Sequence, residues 1–177
     1  MKKLIVLFPG IRYSVDMPLL YYARLKYEEK GYESIKVNYD NSYKEKKTLK
    51  EYIEEGKNYA LKQLENIDFS QYDDIIFVSK SMGTVVAGWL EEKLKIKVRH
   101  IYLTPLEATL PYIKKEKDII TVVAGTKDKH INAKILKDYC LKEEIDCKLI
   151  EGVGHRLEIE NNIERNIDIL KEVIKLY

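Results

Sequence analysis

A serine, an aspartate and a histidine each follow a short apolar segment of this 177-residue chain, in the order Ser81, Asp128, His155. A serine hydroxyl is a poor nucleophile at neutral pH and needs a base to take its proton. Imidazole titrates close enough to neutrality to serve as that base, and a carboxylate on its other ring nitrogen fixes the tautomer and stabilises the imidazolium ion. The three residue types are therefore those that nucleophilic catalysis by serine requires.

The surroundings of Ser81 predict a sharp turn between a strand and a helix. Residues 77–84 read FVSKSMGT, where an apolar run gives way to helical spacing. A serine at such a corner lies on a tight turn with its hydroxyl clear of the backbone, an arrangement called a nucleophile elbow and usually written G-x-S-x-G. Here Ser79 occupies the first glycine position, and Gly83 leaves room for strand and helix to approach. The pattern by itself also fits a turn without chemistry.

A serine nucleophile also needs N–H donors for the oxyanion that forms during the reaction. The usual donors are the N–H of the residue after the nucleophile and an N–H from the loop after the first strand. Met82 follows Ser81, and Gly10 and Ile11 follow the first apolar run. We therefore expect the N–H groups of Met82 and Ile11 to form an oxyanion hole, with Gly10 allowing close approach.

Apolar segments alternate with amphipathic segments of helical spacing along the chain, which predicts an α/β protein. The six predicted strands are 4–8, 34–39, 75–78, 98–103, 119–124 and 147–150. Their nearly continuous apolar character is typical of a parallel sheet that is covered on both faces. We predict one doubly wound domain over 1–177, with a six-stranded, mainly parallel sheet flanked by helices. Because right-handed crossovers place the carboxyl ends of the strands at one edge, the three candidate residues should meet there.

Two of the predicted helices begin with capping signals. Asp16 precedes the first helical segment and is expected to cap it. Thr48 and Glu51 have the spacing of a capping box for the next helix.

The charge balance argues against nucleic acid and membrane surfaces as partners. The chain has 31 Lys and Arg against 29 Asp and Glu, a net charge of +2, and the lysines are scattered among glutamates. The run 44–47 (KEKK) is expected to be a solvated loop.

The first apolar run is short and has no small-residue cleavage pattern, so a buried strand fits it better than a signal peptide, and no segment is long enough to span a bilayer. We therefore expect a cytoplasmic protein in which Cys140 and Cys147 are reduced, with a disulfide as the alternative.

The sequence predicts neither a metal nor a cofactor. His130, Asp128 and His155 could in principle bind a metal, but no closely spaced ligand motif accompanies them. The segment 125–127 (GTK) lacks the upstream glycine of a phosphate-binding loop. His130 is instead a candidate substrate contact or alternative base.

Four motifs together carry a resemblance to a known family. They are Pro9-Gly10-Ile11, the elbow around Ser81, Gly125-x-x-Asp128 and Gly152-x-Gly154-His155. With these motifs the chain resembles the α/β-hydrolase superfamily over essentially its whole length. It is most similar to small members without a cap domain, because only residues 104–118 separate the fourth and fifth predicted strands. The resemblance implies Ser81 as the nucleophile, Asp128 as the acid and His155 as the general base.

The resemblance further implies a serine hydrolase that cleaves a carboxylic ester or thioester of a small molecule through an acyl-serine intermediate. Candidate wall residues of the substrate site are Gly10, Arg12, Tyr13, Leu106, Glu107 and His130. Two alternatives remain open. The same site could transfer the acyl group to an acceptor other than water, or the chain could be a non-catalytic binding protein of this fold.

Overall fold

The computed structural model describes residues 1–39 and 47–177, and within these ranges six strands form one sheet. The strands are β1 (Lys3–Phe8), β2 (Glu33–Lys36), β3 (Asp74–Lys80), β4 (Arg99–Leu103), β5 (Asp118–Gly125) and β6 (Cys147–Ile150). Every neighbouring pair is parallel, in the spatial order β2-β1-β3-β4-β5-β6. The predicted six-stranded α/β architecture is confirmed. Residues 44–46 of the predicted basic loop lie outside the described ranges.

Among the residues that the structure describes, five α-helices cover the two faces of this sheet. They are α1 (Pro18–Glu28), α2 (Leu49–Leu64), α3 (Met82–Leu94), α4 (Ala133–Lys142) and α5 (Ile163–Ile174). Because side chains alternate along a strand, Ile5 and Leu7 of β1 pack with α1 and α5, whereas Leu4 and Val6 pack with α2 and α3. The outer part of the second face is covered by α4. None of the helices in the described parts of the chain is long and apolar enough to cross a membrane.

The strand order places a topological switch point between β1 and β3. The chain passes from β1 to β2 on one side and then crosses to β3 on the other side. In open parallel sheets, ligands bind outside the carboxyl ends of the strands at such a point. The segments that follow β1 and β3 contain Gly10 and Ser81, so these residues lie at the switch point.

The capping predictions differ in outcome. The capping box of α2 is confirmed: the Thr48 hydroxyl accepts from the Glu51 N–H at 3.3 Å, and the Glu51 carboxylate accepts from the Thr48 N–H at 2.7 Å. The cap predicted for α1 is wrong, because Met17 is the N-cap residue and its side chain makes no capping hydrogen bond. The carboxylate of Asp16 instead pairs with the Lys36 ammonium at 2.7 Å.

The second strand is shorter than its pattern predicts. It ends at Lys36 rather than Tyr39, although the Val37 N–H still donates to the Leu7 carbonyl at 3.0 Å. Val37 and Tyr39 are nevertheless buried in the core beneath α2. The alternation in the sequence therefore reports burial correctly but overestimates the length of this edge strand.

Candidate active site

The structure joins the three candidate side chains in one continuous chain of hydrogen bonds. The Ser81 Oγ lies 2.7 Å from His155 Nε2, and His155 Nδ1 lies 2.7 Å from Asp128 Oδ2. A carboxylate only accepts hydrogen bonds, so Nδ1 carries the proton of the neutral ring and Nε2 accepts from the Ser81 hydroxyl. This arrangement leaves a basic nitrogen directed at the serine proton.

Ser81 adopts the backbone conformation of a strained turn. Its φ is 55° and its ψ is −122°, a region that non-glycine residues rarely occupy. The Ser81 N–H donates to the Leu103 carbonyl at 3.0 Å. The Ser81 carbonyl accepts from the Thr84 N–H at 2.9 Å and from the Thr84 hydroxyl at 2.6 Å. Ser79, at the first elbow position, is buried and donates its hydroxyl to the Ile101 carbonyl at 3.3 Å.

The turn depends on very close backbone approaches. A Cβ on Gly83 would lie 2.5 Å from the carbonyl oxygens of both Phe8 and Pro9, closer than real Cβ atoms come. A Cβ on Gly10 would lie 3.0 Å from the Cβ of Ser81. The loop after β1 is therefore packed directly against the serine and against the first turn of α3.

The loops that contain the aspartate and the histidine are joined through the backbone. The N–H groups of Thr126 and Lys127 donate to the carbonyls of Ile150 and Val153 at 3.0 and 2.9 Å. The Gly152 N–H donates to the Thr126 hydroxyl at 2.8 Å. These bonds fix the two loops relative to each other, so the distance between the carboxylate and the imidazole does not depend on the side chains alone.

The environment holds the two ionisable partners in the forms that base catalysis needs. The Asp128 side chain is fully buried, and burial acts to raise its pKa. Hydrogen bonds from the His155 ring and the His130 N–H outweigh that effect and hold the pKa of Asp128 below its ordinary value. Burial lowers the pKa of His155, against the effect of Asp128 and with the help of the Lys80 cation. At neutral pH the pair is therefore a carboxylate beside a neutral imidazole.

The two backbone N–H groups predicted to form an oxyanion hole belong to segments on either side of Ser81. Met82 is the first residue of α3, where no carbonyl of the helix can accept its N–H. Gly10 and Tyr13 exchange backbone hydrogen bonds of 3.0 and 3.2 Å, so Ile11 and Arg12 form a two-residue turn, with Arg12 at a φ of 55°. The N–H of Ile11 thus directly follows the glycine that contacts the serine.

The other predicted wall residues occupy different environments. Arg12 is exposed and, with Gly10 and Tyr13, lines a cleft of about 560 Å³ after β1. His130 is also exposed, and its ring centroid lies 4.3 Å from that of His155. Leu106 is buried in the core against α3, whereas Glu107 is exposed at the start of a 3-10 helix.

Tyr13, the remaining predicted wall residue, is buried, and its hydroxyl accepts a hydrogen bond from the Leu19 N–H at 3.1 Å.

The 3-10 helix spans Glu107–Tyr112, and no separate cap is formed within the described residues 104–117. Over the described ranges, no three His, Cys, Asp or Glu side chains are grouped to hold a metal ion.

Sequence reasoning did not assign a role to three buried polar residues near the elbow. The Leu106 N–H donates to the Thr109 hydroxyl at 3.1 Å, and this hydroxyl lies 2.6 Å from that of Thr84, which in turn bonds the Ser81 carbonyl. Lys80, directly before the serine, is only 1% exposed. One signal was available for Lys80, because it is the only charged residue in the run 75–80.

Comparisons with known proteins identify the fold. No family model matches the chain, and no curated protein matches its sequence. Among solved structures, the Pyrococcus furiosus esterase Pf2001 has a TM-score of 0.64 at 13% identity, covering 99% of this chain and 82% of that one. Est1E from Butyrivibrio proteoclasticus has a TM-score of 0.62 at 13% identity, covering 99% and 88%.

An alpha-beta serine hydrolase homologue from Coxiella burnetii gives a similar result, with a TM-score of 0.61 at 13% identity, covering 98% of this chain and 84% of that one. Together with the six-stranded parallel sheet, these likenesses show that the chain has the α/β-hydrolase fold. The fold predicted from the elbow and the strand-end motifs is confirmed.

The close approach at Gly83 yields a stability prediction. Gly83→Ala should lower the free energy of unfolding by about 1–3 kcal/mol, because the added Cβ would force the end of β1 away from α3. Gly154→Ala is the matched control, since a Cβ there meets no atom within 4 Å. Urea unfolding followed by circular dichroism measures both variants. Equal stability of Gly83→Ala and the wild type would contradict the packing described for the elbow.

Proposed function

We propose that the protein is a serine hydrolase that cleaves a carboxylic ester or thioester of a small molecule through an acyl-Ser81 intermediate. The observation that carries this proposal is the unbroken chain of hydrogen bonds from Asp128 through His155 to Ser81. The strained φ of 55° at Ser81 supports it, because such conformations are kept where the surrounding structure needs the side chain in one position.

In the first half of the reaction, Ser81 Oγ attacks the carbonyl carbon of the substrate as His155 Nε2 takes the hydroxyl proton. The carbonyl oxygen becomes an oxyanion, which the N–H groups of Met82 and Ile11 would bind. Asp128 stabilises the imidazolium ion through Nδ1–H. His155 then gives its Nε2 proton to the leaving alcohol or thiol as the bond between the carbonyl carbon and that group breaks.

In the second half, water repeats the attack on the acyl group. His155 Nε2 takes a proton from the water as its oxygen bonds to the carbonyl carbon. The new tetrahedral intermediate collapses by breaking the bond to Ser81 Oγ, which recovers its proton from His155. The products are a carboxylic acid and the free enzyme, so no cofactor enters the cycle.

The choice of an ester or thioester is supported by the similar folds and by the cleft. The Pyrococcus furiosus protein is described as an esterase, and Est1E has a structure with ferulic acid bound. The cleft of about 560 Å³ that Gly10 and Arg12 line is large enough for a small molecule. Gly10, which lines this cleft, also packs against Ser81.

A covalent probe tests the proposal. A fluorophosphonate should label the wild-type protein at Ser81, because the probe reacts with a serine hydroxyl that a neighbouring base activates. Mass mapping of the labelled peptide identifies the site, and Ser81→Ala should remove the label. A folded wild-type protein that remains unlabelled, or labelling at another residue, would refute the proposed nucleophile.

The two neighbouring histidines provide a test of the base. His155→Ala should lower kcat/KM for a nitrophenyl ester by about 10³-fold or more, because members of such a unit act together. His130→Ala is the matched control and should retain most of the activity, since its side chain contacts the His155 ring rather than Ser81. Steady-state kinetics of both variants decides the matter. A larger loss in His130→Ala would transfer the role of base to His130.

The pH dependence follows from the pKa of His155. Activity needs the neutral imidazole, so it is lost as the pH falls through that pKa. Because burial lowers the pKa of His155 below its ordinary value of 6.5, kcat/KM should remain above half its maximum at pH 6.5. A profile of kcat/KM against pH measures this midpoint. A midpoint above 6.5 would contradict the buried, neutral state of the ring.

A further inference from the structure

Lys80 lies at the carboxyl end of β3, one residue before Ser81, and its side chain is buried. Its ammonium group donates to the carbonyl of His155 at 2.8 Å and to the Thr104 hydroxyl. The same group lies 5.1 Å from the centroid of the Tyr13 ring, at a distance that suits a cation–π contact. One cation therefore contacts three separate parts of the chain.

Each of these contacts belongs to a loop that follows a different strand. Tyr13 closes the turn after β1 that begins at Gly10, and Thr104 directly follows β4 with a φ of 45°. His155 belongs to the loop after β6. Because Lys80 itself ends β3, four of the strand ends around the candidate active site are connected at its ammonium group.

The burial of this lysine is costly, which argues against a role in packing alone. Burial lowers the pKa of Lys80 to about 7, with Asp128 and Glu158 acting to raise it and Arg156 acting to lower it. Its hydrogen-bond partners are neutral oxygens rather than carboxylates. An apolar side chain of similar length would avoid the cost of desolvating a charge. A hydrogen-bond donor is needed at this position because the His155 carbonyl and the Thr104 hydroxyl face the end of the side chain.

We propose that Lys80 is a positioning residue that holds the His155 loop, so that the imidazole stays within hydrogen-bonding distance of the neighbouring Ser81. The inference rests on the proposed function and extends it to a residue outside the hydrogen-bonded chain of side chains. The ammonium group donates a hydrogen bond to the backbone carbonyl of His155, and Asp128 accepts one from its ring. The base is thus held at two points, one on its main chain and one on its side chain.

The charge of Lys80 also acts on the imidazole. The groups that affect the titration of the His155 ring are Asp128, which favours the imidazolium ion, and Lys80 and His130, which disfavour it. Removal of the Lys80 cation should therefore raise the pKa of His155. An uncharged residue that served only to fill space would not affect this titration.

The test compares Lys80→Met with Lys117→Met in the full-length chain. Methionine is similar in length to lysine but has neither the charge nor the donors. Lys117 is also mostly buried and pairs with Glu91 at 2.8 Å. It directly precedes β5, so it lies at the amino ends of the strands, away from the candidate active site. Circular dichroism first establishes that each variant is folded. Thr104→Val is a second variant, which removes one acceptor of the ammonium group and keeps the lysine.

Two readouts are taken. The first is the rate of fluorophosphonate labelling at about pH 6.5, where the Lys80 ammonium is still mostly protonated. Lys80→Met should label about 10- to 100-fold more slowly than the wild type, since a small displacement of a catalytic group has effects of this size. Thr104→Val should show a smaller loss, and Lys117→Met should equal the wild type.

The second readout is the titration of the three histidine rings by NMR, which needs no activity. The pKa of His155 should rise in Lys80→Met, whereas that of the remote His100 should not change. A folded Lys80→Met that labels at the wild-type rate, or that leaves the His155 titration unchanged, overturns the inference. If the wild type itself is not labelled, the proposed function fails, and the His155 titration alone decides whether Lys80 acts on the ring.

Discussion

The site depends on how closely the first turn of α3 approaches the end of β1. At Gly83 the two backbones are so near that a single Cβ would overlap the carbonyl oxygens of Phe8 and Pro9. This contact fixes the loop after β1 against the elbow, where Gly10 meets Ser81. The serine hydroxyl and the candidate oxyanion donors are therefore positioned by one interface between main-chain atoms.

Polar contacts with the main chain connect the other loops at the carboxyl ends of the strands. Backbone bonds join the loops after β5 and β6, which sets the aspartate beside the histidine. The Lys80 ammonium joins the histidine loop to the end of β3. Burial then sets the protonation of the imidazole and keeps it neutral. Positioning and protonation thus have a common origin in the close packing of the strand ends.

Much of the fold and the juxtaposition of Ser81, Asp128 and His155 could be predicted from the sequence, because apolar strands, helical spacing and strand-end position are local signals. The prediction failed where a distant partner decided the outcome. Asp16 pairs with a lysine of β2 instead of capping α1. The contact between Lys80 and His155 joins residues 75 positions apart and depends on the path of both loops. The roles of Ser81, Asp128 and His155 in catalysis stay predictions, which kinetic measurements test.

The most direct test of the account is titration of the protein with a nitrophenyl carbamate, which transfers a slowly hydrolysed carbamoyl group to an activated serine. The account predicts release of one equivalent of nitrophenol per folded chain, with the carbamoyl group found on Ser81 by peptide mass mapping. Absence of release from a folded chain, or a carbamoyl group on any residue other than Ser81, would contradict it.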